Sequence, residues 1–329
     1  MRWIKTSFLI GLTWLIVGCM DGGDKVVLRM GHTLDTEHSV HKAMVHMAQR
    51  LAHYSNGTME IIIYPSAQLG NEREMVELLQ IGSLAMAKVS AATIEGFVPE
   101  MKVFSLPYIF QSRDHRWSVL NSDIGKSLLY EAQKAHLVGL GFYDAGSRSF
   151  YMTDTKVETP KDLISKKIRV MESQTAVRMV EAFGGAATPI SFGELYAALQ
   201  QGVVDGAENN PPSFYLSRHY EISQYYILNE HTSVPDVVMG SKHIYDNLTA
   251  QQKQWLELAM ADSVELQKEL WRAGELEALA EVKKAGVEVI YPDKAPFVNA
   301  VKDFHASFKG TRIGNYLERI AAMYRGDNG

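Results

Sequence analysis

The segment TPKDLISKKIRVMESQTAVRMVEAFGGAATPISFGELYAALQQGVVDGAEN, residues 159–209, decides the fold class of this chain. Residues 168–172 are a strand candidate, and the stretches at 174–183 and 192–201 predict helices. Further strands are predicted on both sides of the segment, at 25–30, 58–64, 84–90, 137–143, 225–228 and 287–291. This alternation predicts α/β domains with largely parallel sheets, in which ligands bind beyond the carboxyl ends of the strands.

The composition is that of an ordinary globular protein. The 329 residues are 46% hydrophobic and 22% charged, with 33 Lys and Arg against 38 Asp and Glu. These values exclude a disordered chain and a disulfide scaffold. The net charge of -5 argues against a nucleic-acid-binding protein, which normally carries a basic surface. The length predicts about two domains.

The first 18 residues predict a signal peptide. Arg2 and Lys5 precede an apolar core at 7–17, which is too short for a membrane-spanning helix of about 20 residues. Ile16-Val17-Gly18-Cys19 resembles the lipobox of bacterial lipoproteins, so Cys19 is the predicted lipidation site. Ordinary cleavage with an incidental cysteine is the alternative. We therefore expect a periplasmic or otherwise extracytoplasmic protein that meets the membrane only through a lipid at Cys19.

A long helix is predicted in the C-terminal third. Residues 249–252 form a capping box, and apolar positions follow at helical spacing from Leu256 to Trp271. Gln267 is the one polar residue in this stripe. The pattern predicts a single helix of about 35 residues, which would brace two domains, and a last helix at about 295–323.

The sequence has none of the usual signs of an enzyme. No cysteine follows Cys19, which excludes thiol catalysis and zinc–thiolate sites. Residues 145–149 do not form a nucleophile elbow, and 139–144 do not form a dinucleotide-binding loop. A histidine cluster at 32–53 could bind a metal, but a solvated helix face is the favoured interpretation. We expect no catalytic residues, no cofactor and no metal.

Two arginines stand out beside predicted strand ends. Arg169 lies in a strand between Ile168 and Val170, and Arg148 follows a tight turn. A guanidinium that points inward needs an anion, because burying it alone is prohibitively costly. The anion could be an internal carboxylate or that of a bound ligand, since a guanidinium pairs with either in a bidentate fork.

The stretches at 159–170 and 183–209 closely resemble the DctP-type substrate-binding proteins of TRAP (tripartite ATP-independent periplasmic) transporters. The resemblance extends over almost the whole mature chain, including 31–33 and 64–70. It implies a two-lobed, periplasmic-binding-protein-like α/β fold, with a cleft between the lobes and a long C-terminal bracing helix. The implied lobe I comprises 19–146 and about 235–274, and lobe II comprises 147–234 and about 275–329.

The resemblance also implies roles for individual residues. Arg169 matches the arginine that binds the substrate carboxylate, Arg148 the second cation of the cleft, and Asn209 an amide that braces the same carboxylate. His231 aligns with a region that lines the pocket. The stretches at 31–38, 143–150 and 208–215 look like a subgroup that binds hexuronates such as glucuronate and galacturonate. The candidates for contacts with sugar hydroxyls are His32, Glu74, Ser90, Glu172 and Asn210.

The implied function is that of an extracytoplasmic receptor without chemistry of its own. It would capture an organic acid and deliver it to the small and large integral membrane subunits of the transporter. A receptor for another carboxylate, such as an aldonate, sialic acid or a dicarboxylate, is one alternative. A sensory or metal-binding protein is another.

Overall fold

The computed structural model describes residues 25–326, in which strands form two sheets. The predicted signal peptide and Cys19 lie outside the described residues. The strands are β1 (Val26–Gly31), β2 (Met59–Tyr64), β3 (Met86–Ser90), β4 (Leu137–Tyr143), β5 (Arg148–Met152), β6 (Lys167–Val170), β7 (Ala186–Pro189), β8 (Gly206–Asn209), β9 (Tyr225–Thr232), β10 (Asp236–Ser241) and β11 (Glu288–Ile290).

Helices cover the sheets and connect the strands. The α-helices are α1 (Ser39–Tyr54), α2 (Glu72–Gln80), α3 (Ala91–Ile94), α4 (Arg113–Asn121), α5 (Asp123–Glu131), α6 (Gln174–Ala182), α7 (Leu195–Gln200), α8 (Pro211–Leu216), α9 (Lys242–Asp246), α10 (Ala250–Lys284), α11 (Ala295–Ala300), α12 (Lys302–Ala306) and α13 (Arg312–Gly326). Short 3₁₀ helices lie at Pro99–Ser105, Ala132–Ala135, Pro160–Leu163, Phe192–Glu194 and His219–Glu221. Among residues 25–326, no helix combines the length and the apolar character that crossing a membrane requires.

The α/β architecture with two lobes is confirmed, and the sheets are largely parallel as predicted, with one reversed strand in each. The first sheet has the order β2-β1-β3-β10-β4, and the second has the order β11-β9-β5-β8-β6-β7. In the first, β10 is antiparallel to both of its neighbours, β3 and β4. In the second, β5 is antiparallel to β8 and β9. Each sheet therefore contains one strand that enters from the other lobe and runs against its neighbours.

Two short segments carry the chain between the lobes. Residues 144–147 lead from β4 to β5, and residues 233–235 lead from β9 back to β10. The predicted capping box and the 35-residue length of α10 are both confirmed. This helix packs against α1 of the first lobe and α8 of the second, so it spans both lobes.

The structure explains why the apolar stripe of α10 contains one polar residue, Gln267. Its Oε1 accepts a hydrogen bond from the Asp144 backbone N–H at 2.8 Å, and its Nε2 donates to the Asp144 carbonyl at 2.8 Å. Gln267 is fully buried. The long helix is thus fixed to the first crossing segment by both main-chain groups of one residue.

The predicted last helix at 295–323 is three helices in the structure, α11 to α13. The break before α13 occurs at Gly310, whose φ of +76° lies in the left-handed region. Helix α13 packs against Pro99–Ser105 and α4, which belong to the first lobe. We therefore propose lobe boundaries near 146 and 235, with 312–326 assigned to the first lobe instead of the second.

Candidate functional site

A cavity lies between the lobes, where the strand ends of both sheets face each other. The carboxyl ends of β3, β6 and β8 reach it, and so do the amino ends of the antiparallel strands β5 and β10. The register shows why: Asp236 pairs with Ser90, and Ser149 pairs with Asn209. The cavity contains about 680 Å³ of space free of protein atoms, including its open mouth. A position between two lobes is typical of a small-molecule site.

Arg169 is the cation in this cavity that the protein leaves without an anion. Its side chain is only 2% exposed, and its Nε donates to the Ile190 carbonyl at 2.8 Å. Its Nη1 is buried without a hydrogen-bond partner, and within residues 25–326 Arg169 forms no ion pair with a carboxylate. Burial lowers its pKa from the ordinary value of arginine. A guanidinium this deeply buried requires an anion from outside the chain.

Arg148 also lines the cavity, but its charge is balanced internally. It donates from Nη2 to Glu208 Oε1 at 2.8 Å and from Nε to Oε2 of the same carboxylate. Burial opposes the ionisation of Glu208, yet Arg148 outweighs this effect, and the pKa of the carboxyl is lowered to about 2. Arg148 is therefore a paired cation at neutral pH, and a ligand is not needed to neutralise it.

Asn209 connects this ion pair to the cavity. Its Oδ1 accepts from Arg148 Nη1 at 2.8 Å and from the backbone N–H of Asn210 at 2.9 Å. Both contacts identify this atom as the amide oxygen, so the Nδ2 group is free to donate. Because Asn209 lines the cavity together with Arg169, a carboxylate bound there can receive hydrogen bonds from both residues.

The first lobe supplies a buried group of three charges, Lys88, Glu72 and Asp236. Lys88 Nζ lies 3.1 Å from Glu72 Oε1 and 3.2 Å from Asp236 Oδ1, and its side chain is 3% exposed. Burial opposes the charge of Lys88, but the two carboxylates together raise its pKa. Burial raises the pKa of Asp236 to about 6. This group offers carboxylate acceptors and an ammonium donor, which is what recognition of several hydroxyls requires.

Three residues predicted as hydroxyl contacts do line the cavity. Ser90 caps α3 with its Oγ, which accepts from the Ala92 N–H at 3.3 Å. Asn210 caps α8 in the same way, through the Ser213 N–H at 2.9 Å. Glu172 is exposed at the rim. Both caps fix side chains at the ends of strands, where they face the cleft.

Three other predicted residues do not line the cavity. Glu74 is exposed and accepts from the Asn71 N–H at 2.8 Å, as the third residue of a capping box on α2. His32 is buried and contacts His41, with 2.9 Å between Nε2 and Nδ1. His231 is buried behind the cavity, 3.5 Å from Glu208 Oε2, and stacks on Phe150. Packing and capping account for all three.

Glu72, Lys88 and Asp236 line the cavity but are not among the residues predicted from the sequence. Lys88 carries the same signal that identified Arg169, a charge within an apolar strand. Glu72 precedes Glu74 by two residues on the same helix, and the Asn71-x-x-Glu74 capping pattern already assigns Glu74 to the helix end. Asp236 had no local signal, because its role depends on the pairing of β10 with β3.

His38 also lines the cavity, and because both it and His32 are buried, the prediction of a solvated helix face is wrong for these two histidines. The Val40 N–H donates to its Nδ1 at 3.2 Å, so Nε2 carries the proton and faces Ser213 Oγ at 3.4 Å. Burial lowers the pKa of His38 to about 3, so the ring is neutral. His38 precedes α1 in the first lobe and Ser213 lies in the second, so the cleft is closed at this point. Among residues 25–326, no three His, Cys, Asp or Glu side chains are grouped to hold a metal.

Comparison with known proteins places this geometry among solute-binding proteins. The profile of DctP, described as bacterial extracellular solute-binding protein, family 7, matches residues 30–311. The uncharacterized protein YiiZ of Salmonella typhimurium is 36% identical over 299 residues, which are 90% of this chain and 91% of that protein.

Solved structures are similar over nearly their full length. A TRAP periplasmic solute-binding protein from Xanthobacter autotrophicus with bound β-D-galacturonate is 36% identical, with a TM-score of 0.87 over 90% of this chain and 99% of that one. A second, from Anaerococcus prevotii with bound α/β-D-glucuronate, is 32% identical, with a TM-score of 0.89 over 92% and 99%.

Proposed function

Because the chain belongs to the DctP family, family 7 of the bacterial extracellular solute-binding proteins, it is a solute receptor of a TRAP transporter, and we propose that its ligand is a hexuronate. The observation that carries this proposal is the buried, anion-free guanidinium of Arg169 in the cleft. The ligand carboxylate binds Arg169 and the Nδ2 group of Asn209. Structures of relatives at 32% and 36% identity with bound hexuronates support the same ligand class.

The opposite wall of the cavity selects for a polyhydroxylated acid. Glu72 and Asp236 accept hydrogen bonds from ligand hydroxyls, and Lys88 donates to their oxygens. An analogue without hydroxyls displaces water from these groups but does not supply the additional hydrogen bonds that they can make, which costs more than a missing apolar contact. The site therefore favours a hexuronate over a dicarboxylate of similar charge.

We propose that the receptor has no enzymatic activity and that its partners are the small and large membrane subunits of the transporter. Attachment to the membrane through a lipid at Cys19, after removal of residues 1–18, belongs to the same proposal and concerns residues outside the described range. Mass spectrometry of the membrane-associated protein tests it: an acylated N-terminal Cys19 supports the anchor, and an unmodified residue contradicts it.

Thermal-shift and calorimetric titration test the ligand. D-galacturonate and D-glucuronate should raise the melting temperature, because a ligand at 100 times its Kd adds about 2.7 kcal/mol to the free energy of unfolding. Galactose, which lacks the carboxylate, and succinate, which lacks the hydroxyls, should not. A response only to sialic acid, gluconate or succinate would leave the receptor function and refute the hexuronate.

The variant Arg169→Gln tests the carboxylate site. It should weaken hexuronate binding by at least about a hundredfold, because the ligand charge is then desolvated without a cation. Arg272→Gln is the matched control, since it removes the same charge from an exposed position on α10 and should bind normally. Equal affinities of the two variants would contradict the assignment of Arg169.

A further inference from the structure

Glu95 lies at the end of α3 in the first lobe, but its hydrogen bonds go to the second lobe. Its Oε1 accepts from Ser173 Oγ at 2.8 Å and from the Thr175 N–H at 2.9 Å. Its side chain is buried, and its Oε2 has no hydrogen-bond partner among the described residues. A carboxylate from one lobe thus caps the first turn of α6 in the other.

This contact flanks the ligand cavity. Thr93, two residues before Glu95, lines the cavity wall of the first lobe. Met171 and Glu172, which directly precede Ser173, line the wall of the second lobe. The hydrogen bonds of Glu95 therefore join the two lobes beside the ligand cavity.

We propose that Glu95 is an interlobe latch, a positioning residue whose hydrogen bonds to Ser173 and Thr175 form when the cleft closes and retain the ligand. The proposal rests on the proposed function for the identity of the ligand. Its chemistry is that of a charged helix cap: the amino end of α6 carries a partial positive charge and unpaired N–H groups, which favour a carboxylate. In an open cleft, water replaces these contacts on both sides.

The latch predicts a specific kinetic effect. Solute enters the open form, in which Glu95 is not yet bonded, so the association rate should not depend on this residue. Dissociation requires the latch to break. Glu95→Gln keeps the size and an acceptor oxygen but removes the charge, and it should raise the dissociation rate of D-galacturonate about tenfold, as expected for a charge-assisted hydrogen bond.

The test combines stopped-flow kinetics with melting temperatures of the ligand-free and ligand-bound protein. Glu95→Gln should leave the ligand-free melting temperature unchanged and reduce the rise caused by ligand. Glu181→Gln is the control, because it removes an exposed carboxylate from α6, the helix that Glu95 caps, at a position that does not contact Glu95. An unchanged dissociation rate refutes the latch. A lower ligand-free melting temperature with an undiminished rise also refutes it, because Glu95 would then only stabilise the fold.

Spin-label distances measure closure directly. Labels at Lys126→Cys and Lys161→Cys, both exposed and in different lobes, are introduced in a chain that carries Cys19→Ser. With saturating ligand, Glu95→Gln should show a larger open population than the parent. If the parent binds another acid of the panel and no hexuronate, the proposed ligand fails, and the same comparison with that acid decides the latch.

Discussion

Replacement of Lys88 by Met tests the charge group of the first lobe. The substitution removes the cation between Glu72 and Asp236, which lie 3.1 and 3.2 Å from its nitrogen. Removing one partner of a buried ion pair typically costs about 3–5 kcal/mol of the free energy of unfolding. Glu72 retains donors from the Ser90 N–H and Thr93 Oγ, whereas Asp236 loses its ion-pair partner. We therefore expect Asp236 to take up a proton in the variant.

The pH dependence follows from the proton balance. In the wild type, the pKa of Asp236 is already raised to about 6, above the value of about 3.9 in an unfolded chain. The folded state therefore binds this proton more tightly, and its contribution to stability is fully present below about pH 3.9 and is lost as the pH rises through about 6. In Lys88→Met the pKa of Asp236 rises further. At a pH between the pKa of Asp236 in the wild type and its pKa in the variant, Asp236 is protonated only in the variant. Lowering the pH in this range therefore reduces the difference in the free energy of unfolding between the two proteins by about 1.4 kcal/mol per pH unit.

Urea denaturation at pH 8, 7, 6 and 5 measures this difference. We expect the destabilisation of Lys88→Met to shrink as the pH falls towards 6, by up to about 1.4 kcal/mol per pH unit, and to stay constant well below pH 6, where Asp236 is protonated in both proteins. Lys126→Met, at an exposed position, should show neither the loss of stability nor the pH dependence of that loss. A destabilisation that is independent of pH, or larger in acid, would refute the assignment of the buried charges.

Two further variants test the crossing segment. Gln267→Leu leaves the buried N–H and C=O of Asp144 without partners and should lower the free energy of unfolding by about 2–5 kcal/mol in urea denaturation. A loss below about 0.5 kcal/mol would contradict a stabilising role for these two hydrogen bonds. Gly146→Ala places a Cβ 2.2 Å from Glu275 Oε1 at a φ of +58° and should lower the melting temperature by several degrees. Gly193→Ala is the control, because a Cβ there has no atom within 4 Å, and it should leave the melting temperature unchanged. Equal melting temperatures of the two variants would contradict the close approach at Gly146.

The sequence was a good guide to long and strongly patterned elements. The strand β4 and the helix α10 match their predicted bounds because both carry long apolar patterns. The strands β5, β7, β8 and β10 were missed, although β6 and β11 are equally short and were predicted. The four missed strands depend on their neighbours in the sheet more than on a local pattern.

The site residues also differ in how far the sequence could predict them. Arg169 was predictable because a charge inside an apolar strand needs an explanation wherever the strand lies. Asp236 was not predictable, because it comes 67 residues after Arg169 and meets the cavity only through the antiparallel pairing of β10 with β3. Glu74 was predicted and Glu72 lines the cavity instead, because two residues along a helix point to nearly opposite faces. Only the fold decides which of those faces meets the cleft.

The unequal treatment of the two arginines has a consequence for transport. Arg148 has its own carboxylate, so its environment is complete whether or not cargo is present. Arg169 has none, and an empty cleft that shuts leaves a dehydrated charge without compensation. Shutting without cargo is therefore penalised, and the shape of the receptor reports its occupancy. Membrane subunits that recognise only the closed conformation would therefore bind few empty receptors, and few transport cycles would run without a solute.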